Sequence, residues 1–256
     1  MSSAHCERRG ALAIVWLNSP HKPDAFSLET LRTTSALLKR ISKPLAIRVV
    51  ILTGNASPFC GRTSVLESPQ SNEDLNRVFK LTRTACERIK NYPVPVIAAV
   101  NGVVSGCGCE LALAAHLVVA TKNSQFSLRN IAPGMSYAID ETSPPGWKDG
   151  RERALEMMLS RGPISADYAL QVGLVNRVVE EEFLMAEAES LAMQIADLAP
   201  LAIRACLEAV NKRANMSLED GLALESQLFA NLFSTDDMRE GTRAFIEKRK
   251  PVFKGT

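Results

Sequence analysis

Three short runs do most to limit what this chain can fold into: AIRVVILTG at 46–54, VPVIAAV at 94–100 and LVVAT at 117–121. A strand with one wet face alternates apolar and polar residues. Runs this rich in Val, Ile and Ala, without that alternation, fit strands buried on both faces of a sheet. ALAIVWLN (11–18) reads as a further strand. Between these runs, LETLRTTSALLKRI (28–41) carries apolar residues at helical spacing with Ser27 as a cap, and a second helix spans about 73 to 90. Strands alternating with helices imply βαβ units and a mainly parallel sheet. From about 152 the pattern turns helical, with only LVNRVV (174–179) extended. The last 60 or so residues read as three successive helices: LAMQIADLAPLAIRACLEAVNKRA, SLEDGLALESQLFANLF and DDMREGTRAFIEKRK. The expected organisation is an α/β core over 1–195 followed by a helical region over 196–256.

Bulk properties narrow the function classes. Hydrophobic residues at 46% and charged residues at 23% describe an ordinary globular chain and exclude disorder. Thirty Lys and Arg against 28 Asp and Glu leave a net charge of +2, which gives no electrostatic footprint for nucleic acid. Six cysteines, at 6, 60, 86, 107, 109 and 206, form no C-x-x-C pair, so reduced thiols in a cytoplasmic setting are expected, with no metal site. The amino terminus runs directly into CERRGALAIVWLN, which lacks the apolar core of a signal peptide. Residues 91–109 are 19 in a row without a charge and imitate a membrane span, but two prolines and three glycines interrupt them and Glu110 follows, so no membrane crossing is expected.

The chemistry concentrates where VPVIAAV runs into Asn101-Gly102-Val-Val-Ser-Gly106-Cys107-Gly108-Cys109-Glu110 and LALAA continues as a helix. A glycine-rich strand-to-helix turn lets backbone N–H groups approach a ligand, and the helix dipole reinforces them. A dinucleotide fingerprint fails at its third glycine, where Leu111 stands, and the Gly-Lys-Ser/Thr of a Walker loop is absent. An oxyanion hole, in which the amides stabilise negative charge developing on a carbonyl oxygen, satisfies the pattern; so does a tight turn packed against the sheet. Glu110 favours the first reading. Three residues after Cys107 it shares a helix face with it, one turn below the exposed amide, where a carboxylate can move protons on carbons beside a bound carbonyl.

At this point the chain resembles the crotonase family of enoyl-CoA hydratases and isomerases. VVILTGNASPFCG is similar to that family's first oxyanion segment, and PVPVIAAVNG with SGCGCELALAA to its second. RERALEMMLSRGPISADYALQVGLVNRVV resembles its connecting region, and LEDGLALESQLFANLFSTDDMREGTRAFIEKRKPVFKG its carboxyl-terminal end. The resemblance implies an α/β spiral of ββα units with a carboxyl-terminal helical region that packs homotrimers, commonly paired into hexamers. It implies an acyl-CoA thioester substrate, an enolate intermediate, and no cofactor beyond coenzyme A itself. By motif position the oxyanion donors are the amides of Gly61 and Cys107, flanked by Phe59, Gly106 and Gly108. Ser19-Pro20-His21-Lys22-Pro23-Asp24-Ala25-Phe26 matches the stretch that lies along the CoA, with Lys22 as a phosphate contact beside Ala25 and Phe26. Lys248 or Arg249 is a further phosphate contact, in a neighbouring subunit.

The chain departs from the family pattern at four places. Hydratases use two glutamates; Glu110 matches one, and the other position is Asn130, an amide that orients a water without titrating. Asp140 and Glu141 occupy positions usually held by glycine, either as a solvated turn or with one acid turned inward to replace the missing carboxyl group. Arg62 stands where glycine is usual, beside the acyl pocket. His116 replaces an aspartate at a helix end and reads as structural. Two readings follow: an enzyme of the hydratase/isomerase type, and a catalytically degenerate acyl-CoA binder. A binder would hold acyl-CoA and leave every enoyl substrate unchanged.

Overall fold

The computed structural model describes residues 4–17, 28–41, 46–54, 58–59, 71–127, 162–213 and 216–256. Among them a hairpin of β1 (Ala4–Arg9) and β2 (Leu12–Leu17), turned at Gly10, leads a six-stranded sheet. Strands β3 (Val49–Gly54), β4 (Val96–Val100), β6 (Leu117–Thr121) and β9 (Arg177–Val179) follow, each parallel to its neighbour. A second, three-stranded sheet holds β5 (Val103–Ser105), β7 (Gln125–Ser127) and β8 (Ile164–Ser165). From β4 to β7 the chain visits the two sheets in alternation. Strand β4, strand β5 and helix α3 (Cys107–Leu113) form one ββα unit of the expected spiral, and β6 with β7 begins the next.

The apolar runs are buried on both faces, as their lack of alternation required. Val50, Leu52, Val96, Ala98 and Val100 face a core shared with α1 (Leu28–Ile41) and α2 (Asn72–Lys90). Their neighbours Val49, Ile51, Ile97 and Ala99 face the opposite way, onto α5 (Leu184–Ala196). A short helix, α4 (Ala166–Gln171), begins at the side chain of Ser165. The charge-free stretch at 91–109 divides into β4, β5 and the start of α3, and no single helix among the described residues is long and apolar enough to cross a membrane.

The first carboxyl-terminal helix expected from the sequence is two helices. The chain breaks between α5 and α6 (Pro200–Arg213), bending by 105° with Leu198 and Ala199 in the corner. Pro200 has no N–H to continue α5 and disfavours helical backbone at Ala199, whereas its fixed φ suits a first helical position. Helices α7 (Leu218–Leu232) and α8 (Asp236–Ile246) follow as expected, capped by Ser217 and Thr235.

Residues 247–256 are strapped back onto α8 and the core. The buried Asp237 carboxylate accepts the N–H groups of Lys254 (2.7 Å) and Gly255 (2.8 Å). Glu240 forms a two-pronged pair with Arg249 (2.6 and 2.9 Å) and accepts the Val252 N–H; these bonds, Arg249 first, hold its carboxyl down to about 2. Arg48, just before β3, donates to the Ala196 carbonyl at 3.0 Å and to the Phe253 carbonyl. Asp237→Ala would leave two amides without their acceptor, at a cost of about 1–3 kcal/mol. We expect a lower thermal midpoint and faster hydrogen exchange at Lys254 and Gly255, measured against unchanged exchange in β3.

His116 has the structural place expected of it. Its Nδ1 accepts the Val96 N–H at 2.9 Å and its Nε2 bonds the Lys90 carbonyl at 3.0 Å, which selects the neutral Nε2–H tautomer. The Lys90 carbonyl also takes the Asn211 amide at 2.6 Å. Burial pushes the imidazole below its ordinary range, with the Lys90 carbonyl partly opposing. The unfolded chain therefore binds a proton here that the folded chain resists. This contribution to stability is complete above about pH 6.5 and is lost as pH falls through the lower folded value, because a protonated Nδ1 cannot accept from Val96. Urea midpoints measured from pH 8 to pH 5 should fall more steeply for the native protein than for His116→Asn, whose Oδ1 keeps an acceptor; the difference should be about 0.5–1.5 kcal/mol.

Candidate functional site

The parallel strands β3 and β4 end side by side, and the two turns leaving them meet. After β3, the Phe59 N–H donates to the Asn101 carbonyl at 3.0 Å. After β4, Gly102 takes a left-handed φ of +68°, and the Pro58 ring lies so close that a Cβ at Gly102 would stand 3.2 Å from the Pro58 Cβ. Only glycine meets both demands, the positive φ and the close approach. The two segments read from sequence as oxyanion segments are thus joined by one backbone hydrogen bond and one glycine–proline contact.

From there β5 pairs with β7, Val103 opposite Gln125 and Ser105 opposite Ser127, and the Gly106 N–H donates to the Ser127 carbonyl at 3.0 Å. Gly106 adopts φ 51° and ψ −128°, which turns the chain from strand into helix α3. Cys107 is the first residue of that helix, where an N–H has no acceptor within the helix and carries the positive end of the dipole. The Cys107 side chain points the other way, into the core, with 1% of its surface exposed. Burial first, and the nearby Glu110 charge second, push its thiol up to about 12, and burial raises the Cys109 thiol as well. Both are inert thiols near neutral pH, so what Cys107 offers a ligand is its amide. Glu110, one turn on, is partly exposed, and its N–H closes the first helical bond onto the Gly106 carbonyl at 3.0 Å.

Gly106, Cys107, Gly108 and Glu110 therefore fall together on one turn, with Phe59 beside them. The Phe59 side chain has no exposed surface and belongs to the core, so it anchors the first segment. Lys248 lies past the end of α8 in the carboxyl-terminal region, at φ 52°, and no described contact joins it to the turn within one chain. Lys22, Ala25, Phe26, Gly61, Arg62, Asn130, Asp140 and Glu141 lie outside the described residues. Among the described residues, no group of three or more His, Cys, Asp or Glu could hold a metal ion.

The contact between Pro58 and Gly102 has no sequence signal of its own, although Asn-Gly after a strand signals a turn. The acceptor role of the Ser127 carbonyl leaves no mark in the sequence, because any residue supplies one.

The enoyl-CoA hydratase/isomerase family profile matches residues 7–256. The chain is similar to a short-chain-enoyl-CoA hydratase of Clostridium acetobutylicum, 32% identical over 95% of this chain and 94% of that one. It is 34% identical to a 2,3-dehydroadipyl-CoA hydratase of Escherichia coli K12 over the whole of both. The crystal structure of an enoyl-CoA hydratase from Bacillus anthracis matches it with a TM-score of 0.93 at 30% identity, covering 99% of this chain and 100% of that one.

Proposed function

The chain belongs to the enoyl-CoA hydratase/isomerase family, and from that premise we propose that it adds water across the double bond of a 2-enoyl-CoA thioester through an enolate held at the 101–110 turn. The observation that carries this reading is the joining of the two turns by the Phe59–Asn101 hydrogen bond and the Pro58–Gly102 contact. That junction sets the segment leading into Gly61 against the segment carrying Cys107. Two amides aimed at one thioester oxygen stabilise the enolate more than the ground-state carbonyl, each contributing roughly 2.7–4 kcal/mol.

In the proposed reaction Glu110 takes a proton from water as the hydroxyl adds to C3. The electron pair of the double bond moves toward the thioester oxygen. The same proton returns to C2 when the enolate collapses, so one carboxyl group serves in both directions. Asn130 orients the water, and Asp140 or Glu141 is the available second acid. Arg62 selects among acyl groups, Lys22 meets a CoA phosphate beside Ala25 and Phe26, and no cofactor takes part beyond the CoA of the substrate.

We also assign residues 196–256 to packing copies of the chain into a trimer, with Lys248 reaching a neighbour's CoA. Leu222, Phe229, Phe233, Phe245 and Ile246 all expose most of their surface in this region, which supports an apolar contact face. The test of the main reading is direct. Purified protein mixed with crotonyl-CoA, and separately with a longer 2-enoyl-CoA, should bleach the conjugated enoyl-thioester absorbance. Acyl-CoA binding with no bleaching of either substrate would instead support the degenerate binder.

A further inference from the structure

A cavity of about 230 Å³ lies at the opposite ends of β3 and β4 from the 101–110 turn. The turn uses residues that follow β3 and β4; the cavity uses residues that precede them, Ile47 and Arg48 before β3 and Tyr92 to Pro95 before β4. A five-residue strand such as β4 separates the two places by about 16 Å. Leu198 and the first turn of α6 close the far wall, together with Lys254 and Gly255 of the strapped tail.

The cavity's polar groups share one sign. Arg48, Arg204 and Lys254 line it, and no Asp or Glu is among its described lining. Arg48 is half-buried and, among the described residues, its guanidinium meets the Ala196 and Phe253 carbonyls and no carboxylate, so its N–H groups are engaged without its charge being neutralised. Among the described residues, Arg204 and Lys254 form no ion pair through their side chains. Two acids that adjoin or bind lining residues are engaged elsewhere: Asp237 holds the Lys254 and Gly255 amides, and Asp197 is paired with Lys250 at 2.6 Å. A half-buried guanidinium without a carboxylate, in a cavity lined by two further cations, keeps charge and donors available to an anion. The remaining walls, Ile41, Ile47, Tyr92 and Leu198 among them, are apolar.

We propose that this cavity is a second small-molecule site, which takes an organic carboxylate with a short apolar body: the head group between Arg48, Arg204 and Lys254, the body against Ile47 and Tyr92. A ligand seated there touches the core, α6 and the tail at once, so it also ties the carboxyl-terminal region to the sheet. The site is independent of the activity proposed above.

Isothermal titration of the full chain with hexanoate tests it, with hexanamide as the same body without charge and inorganic phosphate as a charge without the body. Hexanoate should bind saturably and more tightly than either control. The Arg204→Gln/Lys254→Gln variant alters two exposed side chains and leaves Arg48 in place. It should weaken hexanoate binding about tenfold or more, and lose the rise in thermal midpoint that hexanoate gives the native protein. Unchanged binding in that variant would put hexanoate elsewhere, the acyl pocket included, and overturn the assignment. Absence of saturable binding, or phosphate or hexanamide matching hexanoate, would overturn it equally.

Discussion

Replacing Glu110 by Gln is expected to lower kcat on a 2-enoyl-CoA by about a hundred- to ten-thousand-fold, with acyl-CoA affinity staying near that of the native protein. The range is that of a positioned general acid–base group. An amide of the same shape keeps the turn packed but can neither take nor return a proton. The Glu110 N–H bonds to the Gly106 carbonyl through the backbone and is indifferent to the substitution. Steady-state kinetics with crotonyl-CoA, beside titration with a saturated acyl-CoA, separates the two effects. Full turnover in the variant would remove Glu110 from the chemistry and move attention to Asp140 and Glu141.

The second large effect is expected at a residue without a side chain. Gly106→Ala puts a Cβ on a backbone held at φ 51°, ψ −128°, a conformation that L residues rarely adopt. The strain costs about 1–3 kcal/mol if the turn keeps its shape. If the turn relaxes, the Cys107 amide leaves its line of aim, and loss of one oxyanion donor costs about a hundred- to a thousand-fold in kcat. The thermal midpoint and kcat, measured together, show how the penalty divides between stability and rate. Cys107→Ala is the informative companion. It removes a buried thiol but keeps the amide, so kcat should change far less than in Gly106→Ala.

The contrast between those two variants also shows what can be read from a sequence of this kind. Val49 to Leu52 and Val96 to Val100 announce strands buried on both faces, because no pattern with one wet face would leave every position apolar. Helix α1 ends where its periodicity ends, and Gly106 to Glu110 stand out because glycine clusters beside a carboxylate are rare in ordinary turns. Strand β1 is harder to see: Glu7, Arg8 and Arg9 suit an exposed edge, and the strand shows in its antiparallel pairing with β2, from Ala4 opposite Leu17 to Arg9 opposite Leu12. Strand β5 is three residues long, too short for any periodicity, and exists because β7 lies beside it. The break at Leu198–Pro200 was legible in the proline but was outweighed by apolar spacing that continues through it. The junction of Pro58 and Phe59 with Asn101 and Gly102 is a contact between residues more than forty positions apart. No local pattern encodes such a meeting; the parallel alignment of β3 and β4 creates it.

The carbonyl of Lys90 is a small feature with a wide reach. It closes α2, and it is bonded both by His116 at the start of β6 and by Asn211 on α6, 121 residues away. One oxygen thus serves as a common tie for the sheet and the helical region. Loosening either donor should weaken the geometry that holds the other, and a single calorimetric transition is the expected result. The corner at Leu198 and Ala199, where α5 gives way to α6, then marks a change of architecture more than a seam along which the molecule comes apart.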